Sequence, residues 1–132
     1  MRIKIDTKER FKVITIIEPH LTARMAAEFS EILKKGHEAD SSTAENFTHL
    51  VVVMSAVQEI EKDGAQLLAS IQKEFYAQEH SFVYCSLQPG VEAAIKEAGV
   101  YDMMNITPTE SEAWDILQME EIERELLKDP DA

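Results

Sequence analysis

Two periods of apolar and polar positions run along this chain, one typical of strands and one typical of helices. Ile3 and Ile5 alternate with polar residues, which predicts a short, half-exposed strand. Residues 13–17 are apolar and mostly β-branched, so they predict a second strand that ends before Pro19. The polar stretch "KERF" between them indicates a tight turn. We therefore expect an N-terminal antiparallel hairpin.

The first helical pattern follows Thr22, a residue type that caps helix N-termini. Apolar residues then recur at helical spacing (Met25, Phe29, Ile32 and Leu33). Gly36 is expected to end this helix, because glycine is common just after a helix C-terminus. Residues 37–47 are polar and poor in structure formers, and they predict a flexible loop.

The next two strand–helix units are predicted from buried apolar runs. Residues 49–54 form a continuous apolar strand, and Asp63 is expected to cap the following helix with Gln66 in a capping box. Residues 82–85 predict another buried strand. Pro89 suits the first position of the helix after it, and Gly99 is placed to end that helix.

The last unit begins with a short strand over 103–106. Thr109 and Glu112 then form a second capping-box pattern, and the final helix carries Trp114 and Leu117. The element order is β-β-α-β-α-β-α-β-α, which predicts an α/β fold with a mainly parallel central sheet and about four helices. Length predicts a single domain over 1–132, in which 119–132 form a charged C-terminal helix extension.

Charge and composition narrow the classes of partner. The formal net charge is −12 at pH 7, so phosphate backbones and anionic membranes would be repelled, and we expect no nucleic-acid binding. No apolar run approaches 18 residues and no signal peptide is evident, which predicts no membrane insertion and a cytoplasmic location. The single cysteine, Cys85, lies in an apolar run and is expected to be a buried thiol.

Candidate chemistries find little support in the residue pattern. The four histidines lack ligand spacing, the four glycines form no phosphate-binding loop, and we predict neither a metal nor a cofactor. Ser55 lacks a nucleophile motif. Glu59 and Glu61 leave two alternatives open, since two carboxylates in one loop can serve acid–base chemistry or can be solvated charges. The second alternative is favoured.

The stretch "VMSAVQEIEKDGAQLL" at 53–68 resembles the central signature of the STAS domain, D-L-S-x-V-x-x-I-D-S-S-G-x-x-x-L. The segment "LQPGVEAAIKEAGVYDMMNI" and the later "TPTESEAWDIL" are similar to the family's downstream elements. The resemblance covers about residues 1–118 and implies a single STAS-like domain of the kind found in bacterial anti-sigma factor antagonists. In that family the second serine of D-S-S-G accepts phosphate from a partner kinase, and phosphorylation blocks binding to that kinase.

The chain departs from this signature at the acceptor. The family's aspartate falls on Glu61, its first serine on Lys62 and its acceptor serine on Asp63. The resemblance thus implies a fixed negative charge, either a phosphomimetic or a lost switch, where the family places a reversible one. It also implies a partner-facing surface with a degenerate phospho-site, made of Thr22, Ser55, Ala56, Glu61, Lys62, Asp63, Gly64, Ala65 and Pro89.

The resemblance leaves two functions open, neither of them enzymatic. The leading one is a signalling module for partner switching, which binds a kinase-like anti-sigma factor or a related regulator. The alternative is a STAS subunit that docks on a membrane transporter complex of the lipid-trafficking ATP-binding cassette type. Leu126 and Leu127 on the terminal helix predict packing either on a second copy, as a homodimer, or on the same domain.

Overall fold

A computed structural model describes residues 1–38 and 49–128 of this chain. Five strands form one sheet in the order β1-β2-β4-β6-β7, and two more, β3 and β5, pair separately. The strands are β1 (Ile3–Thr7), β2 (Lys12–Ile16), β3 (His20–Leu21), β4 (Leu50–Val53), β5 (Glu59–Ile60), β6 (Phe82–Cys85) and β7 (Ile106–Thr107). The helices are α1 (Ala23–Glu38), α2 (Lys62–Ala77), α3 (Pro89–Glu97) and α4 (Glu110–Lys128), with a short 3-10 helix at Tyr101–Met103.

The main sheet confirms the predicted hairpin and parallel topology. β1 pairs antiparallel with β2, in register Ile3 to Ile16, and the remaining pairs in this sheet are all parallel. The turn between β1 and β2 is closed by the Lys8 N–H, which donates to the Phe11 carbonyl. Strands β4 and β6 are buried almost throughout, as expected for parallel strands that are covered on both faces.

Each face of the sheet has its own hydrophobic core. Helices α1, α2 and α3 cover one face, and their apolar residues pack with Ile14, Phe82 and Tyr84. Helix α4 covers the other face, where Ala113 and Leu117 pack with alternate residues of the central strands. The buried Tyr84 hydroxyl donates to the Leu68 carbonyl at 2.7 Å, so its burial leaves no donor unsatisfied.

Several predicted boundaries are confirmed. Thr22 caps α1, since its Oγ1 accepts a hydrogen bond from the Met25 N–H at 3.1 Å, and Thr109 caps α4 through the Glu112 N–H. Pro89 occupies the first position of α3. Gly99, just after that helix, has a φ of +80°, a left-handed conformation that favours glycine.

The predicted end of the first helix and the predicted start of the last strand are wrong. Helix α1 continues through Gly36 to Glu38, because a glycine lowers helix stability by only about 1 kcal/mol and does not end a helix by itself. The strand predicted over 103–106 begins later, at Ile106, because its first residue still belongs to the 3-10 helix. Apart from residues 37 and 38, which belong to α1, the predicted loop over 37–47 lies outside the described residues.

Candidate functional site

The candidate site lies where the parallel strands end. The carboxyl ends of β2, β4 and β6 meet at one edge of the sheet, and the segments that follow them lead into α1, α2 and α3. Ligand sites of open α/β folds commonly lie at this edge. The segment 54–61, which connects β4 to α2, lies between the β2–α1 and β6–α3 connections and contacts both.

Backbone hydrogen bonds attach this segment to the β2–α1 connection. The N–H groups of Gln58 and Glu59 both donate to the Pro19 carbonyl, at 2.7 and 3.0 Å. Strands β3 and β5 then pair in parallel, with His20 opposite Glu59 and Leu21 opposite Ile60. The apolar pattern of the sequence did not predict these two strands, because they are two residues long and arise from pairing between distant segments.

Glu61 connects the starts of two helices. It is the N-cap of α2, and its backbone N–H donates to the Leu21 carbonyl at 3.0 Å. Its side chain turns to the neighbouring helix instead, where Oε1 accepts a hydrogen bond from the Ala23 N–H at 2.7 Å. The predicted cap at Asp63 is therefore wrong, because this pairing starts α2 two residues earlier.

Asp63 lies in the first turn of α2, together with Lys62, and both side chains are exposed. The N-cap side chain makes no hydrogen bond to this turn. Backbone N–H groups at a helix start have no intrahelical acceptor, and the helix dipole adds a partial positive charge there. The Asp63 carboxylate thus lies in the turn of α2 where a negative charge is favoured.

Gly64 allows α2 to approach the start of α1 closely. A Cβ atom at this position would lie 3.4 Å from the Leu21 carbonyl oxygen and 3.5 Å from Thr22 backbone atoms. Gly64 and the next residue, Ala65, are both buried, and Ala65 is fully covered within the core. The prediction that these two residues form part of an exposed surface is therefore wrong, because they pack beneath the edge, where α2 approaches α1.

Ser55, Ala56 and Pro89 lie on the α3 side of the segment. The Gln88 side-chain amide donates to the Ser55 carbonyl at 2.8 Å, which links the loop after β4 to the start of α3. Ser55 and Pro89 are exposed and Ala56 is half-buried. The structure therefore brings the predicted residues together along one edge, from Thr22 through Glu61 to Pro89, with Gly64 and Ala65 buried beneath it.

The two carboxylates considered for acid–base chemistry have separate partners. Glu59 Oε2 lies 3.1 Å from His20 Nδ1, on the exposed surface of β3 and β5. Glu61 is engaged by the Ala23 N–H. The sequence did not predict the contact of Glu59 with His20 or the hydrogen bond from Gln88 to the Ser55 carbonyl, because the residues of each pair lie far apart along the chain.

The thiol of Cys85, which also lies near this edge, is shielded from solvent. Cys85 at the end of β6 is fully buried, and burial raises the pKa of its thiol to about 11, so the thiolate is scarce at neutral pH.

Among residues 1–38 and 49–128, no group of three or more His, Cys, Asp or Glu side chains is arranged to hold a metal ion. The described helices include none with the length and hydropathy needed to cross a membrane.

Comparison with known proteins gives one family. The STAS domain family matches residues 2–113 of this chain. No curated protein matches.

Solved structures share the fold at low sequence identity. A serine-to-glutamate variant of RsbS from Moorella thermoacetica is 20% identical, with a TM-score of 0.69 over 89% of this chain and 96% of that one. A putative anti-sigma factor antagonist from Thermotoga maritima is 17% identical, with a TM-score of 0.67 over 88% and 94%. The murine anion transporter Slc26a9 is 20% identical with a TM-score of 0.66 over 83% of this chain, which spans only 18% of that protein.

Proposed function

This chain belongs to the STAS domain family, and we propose that it is a non-catalytic regulatory module that binds a protein partner through the β4–α2 segment. The partner class is a kinase-like anti-sigma factor or a related regulator of a bacterial partner-switching circuit in the cytoplasm. Structural likeness to anti-sigma factor antagonists supports the fold of such a module. The shielded Cys85 and the separately engaged Glu59 and Glu61 favour binding over catalysis.

The observation that carries the proposal is the exposed start of α2. Lys62 and Asp63 are exposed in the first turn of α2, to which the side chain of the N-cap residue makes no hydrogen bond. The backbone pairing of β3 with β5 holds this edge in place. A phosphate at this place would bring a charge of about −1.5 to −2, whereas Asp63 brings one fixed negative charge. The module is therefore proposed to stay in one binding state at this position, without phosphorylation.

A second candidate function follows from the transporter comparison. The same fold forms part of the murine anion transporter, so a STAS domain can be one component of a membrane transport protein. In this alternative, the chain docks on transporter subunits of the lipid-trafficking ATP-binding cassette type through the same edge. The fixed charge at Asp63 then belongs to a docking surface and has no relation to a phosphorylation switch.

Affinity capture from the native lysate tests the proposal and separates the two functions. Wild-type chain should retain a kinase-like ATPase or its regulator, and the variant Asp63→Lys should lose it. Glu74→Lys is the matched control, since Glu74 is an exposed acid on the same helix, away from the first turn. Retention of permease and transporter ATPase subunits instead would support the alternative. Capture that is unchanged by Asp63→Lys would overturn this edge as the docking surface.

The lost-switch interpretation needs its own experiment. Asp63→Ser restores a hydroxyl where the family has its phosphate acceptor, and the variant can be incubated with the captured kinase and ATP. Phosphorylation at residue 63, seen by intact-mass and peptide analysis, would show that the surface keeps the geometry of a substrate. An unmodified variant that still binds the kinase would show that docking is retained without phosphotransfer.

A further inference from the structure

Helix α4 presents a row of apolar side chains to solvent. Met119, Ile122 and Leu126 are 59%, 57% and 65% exposed, although residues of this type are usually buried. Their spacing of three and then four residues places them in one line along about 10 Å of the helix. The same spacing forms the seam of a two-helix coiled coil.

This row points away from the domain that carries it. The opposite side of α4 packs on the sheet through Ala113 and Leu117. Arg124 also lies on that inner side, where its guanidinium donates to Ser81 Oγ at 2.9 Å. Of the two alternatives for Leu126 and Leu127, packing on their own domain is wrong, because they are 65% and 84% exposed.

Acidic residues border the apolar row. Glu112, Asp115, Glu123 and Glu125 are exposed on the outer half of α4. Among the side chains of this helix that the structure describes, the one basic group is Arg124, which is half-buried and directed toward Ser81. In coiled-coil terms, Glu123 and Glu125 occupy the positions beside the seam that select the partner by charge.

Two candidate occupants are disfavoured by this charge. A second copy would place the same acidic borders against each other, and like charges at such positions are destabilising. The segments 39–48 and 129–132, which lie outside the described residues, contain acidic residues and no lysine or arginine. Neither complements an acidic border.

We propose that the outer face of α4 binds a basic amphipathic helix of another protein. The apolar seam of that helix packs on Met119, Ile122 and Leu126, and its flanking lysines or arginines pair with Glu123 and Glu125. Attraction between opposite charges supplies selectivity, while the apolar seam supplies most of the affinity. The contact area of three side chains indicates a weak, reversible complex.

This surface is separate from the β4–α2 segment. Helix α4 covers one face of the sheet, whereas α1, α2 and α3 pack on the other. One molecule can therefore hold a regulator at the strand edge and a basic helix on α4 at the same time. The inference is independent of the proposed function, and failure of one leaves the other standing.

Binding of a synthetic helix tests the inference. The probe is a fluorescent three-heptad peptide with leucine and isoleucine along its seam and lysine at the flanking positions, and the control peptide has glutamate there. Fluorescence anisotropy with the full chain should show at least tenfold tighter binding of the lysine peptide, weakening as salt rises. Equal binding of both peptides would overturn the proposal.

A variant pair locates the contact. Ile122→Ser should weaken binding of the lysine peptide at least tenfold, whereas Met103→Ser, which removes an apolar side chain 64% exposed elsewhere, should leave it unchanged. Thermal unfolding of both variants checks that each of them still folds. Unaltered binding of the lysine peptide by Ile122→Ser would contradict a basic helix as the occupant. The same would follow if wild type were a dimer in sedimentation and Ile122→Ser a monomer.

Discussion

The Glu61 carboxylate accepts a 2.7 Å hydrogen bond from the backbone N–H of Ala23, so a residue at the start of one helix caps the start of another. Glu61 also caps α2 through its own backbone, where its carbonyl accepts the Ala65 N–H at 2.9 Å. This side chain is therefore one of the contacts that hold the starts of α1 and α2 together at the candidate site, beside the backbone pairing of β3 with β5. An anion is favoured there by the dipole of α1.

Removal of this carboxylate should destabilise the domain. Glu61→Ala is expected to lower the free energy of unfolding by about 1 kcal/mol, because the Ala23 N–H then loses a charged acceptor at a partly solvated site. Urea titration followed by circular dichroism measures the change. Glu61→Gln, which keeps an acceptor, should lose less, and Glu74→Ala serves as a control on the same helix. An unaltered midpoint for Glu61→Ala would show that water replaces the carboxylate without cost.

The N-cap of α1 gives a second stability prediction. Thr22→Ala removes the hydroxyl that accepts the Met25 N–H and should cost about 1 kcal/mol, whereas Thr22→Ser keeps the cap and should cost little. The same urea titration distinguishes the two. Equal losses in both variants would mean that the threonine methyl group, and not the cap, provides the stability.

Gly64 should tolerate a methyl group and reject a larger side chain. Gly64→Ala places its Cβ atom at 3.4 Å from the Leu21 carbonyl oxygen, a tight contact that the better helix propensity of alanine offsets, so we expect a change below about 1 kcal/mol. Gly64→Val has no room beside the α1 backbone and should lose about 2 kcal/mol or more.

Thermal and urea unfolding of both Gly64 variants measure these values. If valine were as well tolerated as alanine, α1 and α2 would have to separate easily at this point, and the close packing would not define their spacing.

Burial of Cys85 predicts a defined loss of stability at alkaline pH. Its pKa is raised from the ordinary 9.0 to about 11 in the folded protein, so the unfolded chain releases the thiol proton first. The stabilising contribution is therefore full below pH 9 and is lost as pH rises through 11, by on the order of 2 kcal/mol.

Comparison with Cys85→Ala isolates this titration from those of the tyrosines. The stability difference between wild type and variant, measured by urea unfolding from pH 7.5 to pH 11, should shrink as pH rises above 9. A difference that stays constant over this range would contradict a raised pKa for this thiol. Labelling by a disulfide reagent at pH 7.5 should likewise be slow until the protein unfolds.

Elements with a strong local pattern could be predicted from the sequence, and those that depend on distant pairing could not. The strand over 82–85 and the helix start at Pro89 carry their own apolar run and backbone restriction, and both are confirmed. The strands β3 and β5 are too short for a period, and they exist because Pro19 and Leu21 accept hydrogen bonds from a segment about 40 residues away.

The same limit applies to the candidate site. The pattern Asp63–Gln66 satisfies a local capping rule, yet tertiary pairing at Glu61 determines where α2 begins. Local rules describe which residues can cap a helix, and they contain no information on a carboxylate that caps a different helix. The proposed partner-facing edge follows from the resemblance to a family, whereas the contacts that shape it are visible only in the folded chain.

The backbone pairing of β3 with β5 has a consequence for how this surface can change. The path of the β4–α2 segment is held by main-chain groups at Pro19 and Leu21, while Ser55, Lys62 and Asp63 only project from it. Substitution at those projecting positions can therefore alter the charge and hydrogen bonding of this surface while the scaffold stays in place. The side chains on this edge can thus be exchanged, in evolution or in design, largely independently of the fold that carries them.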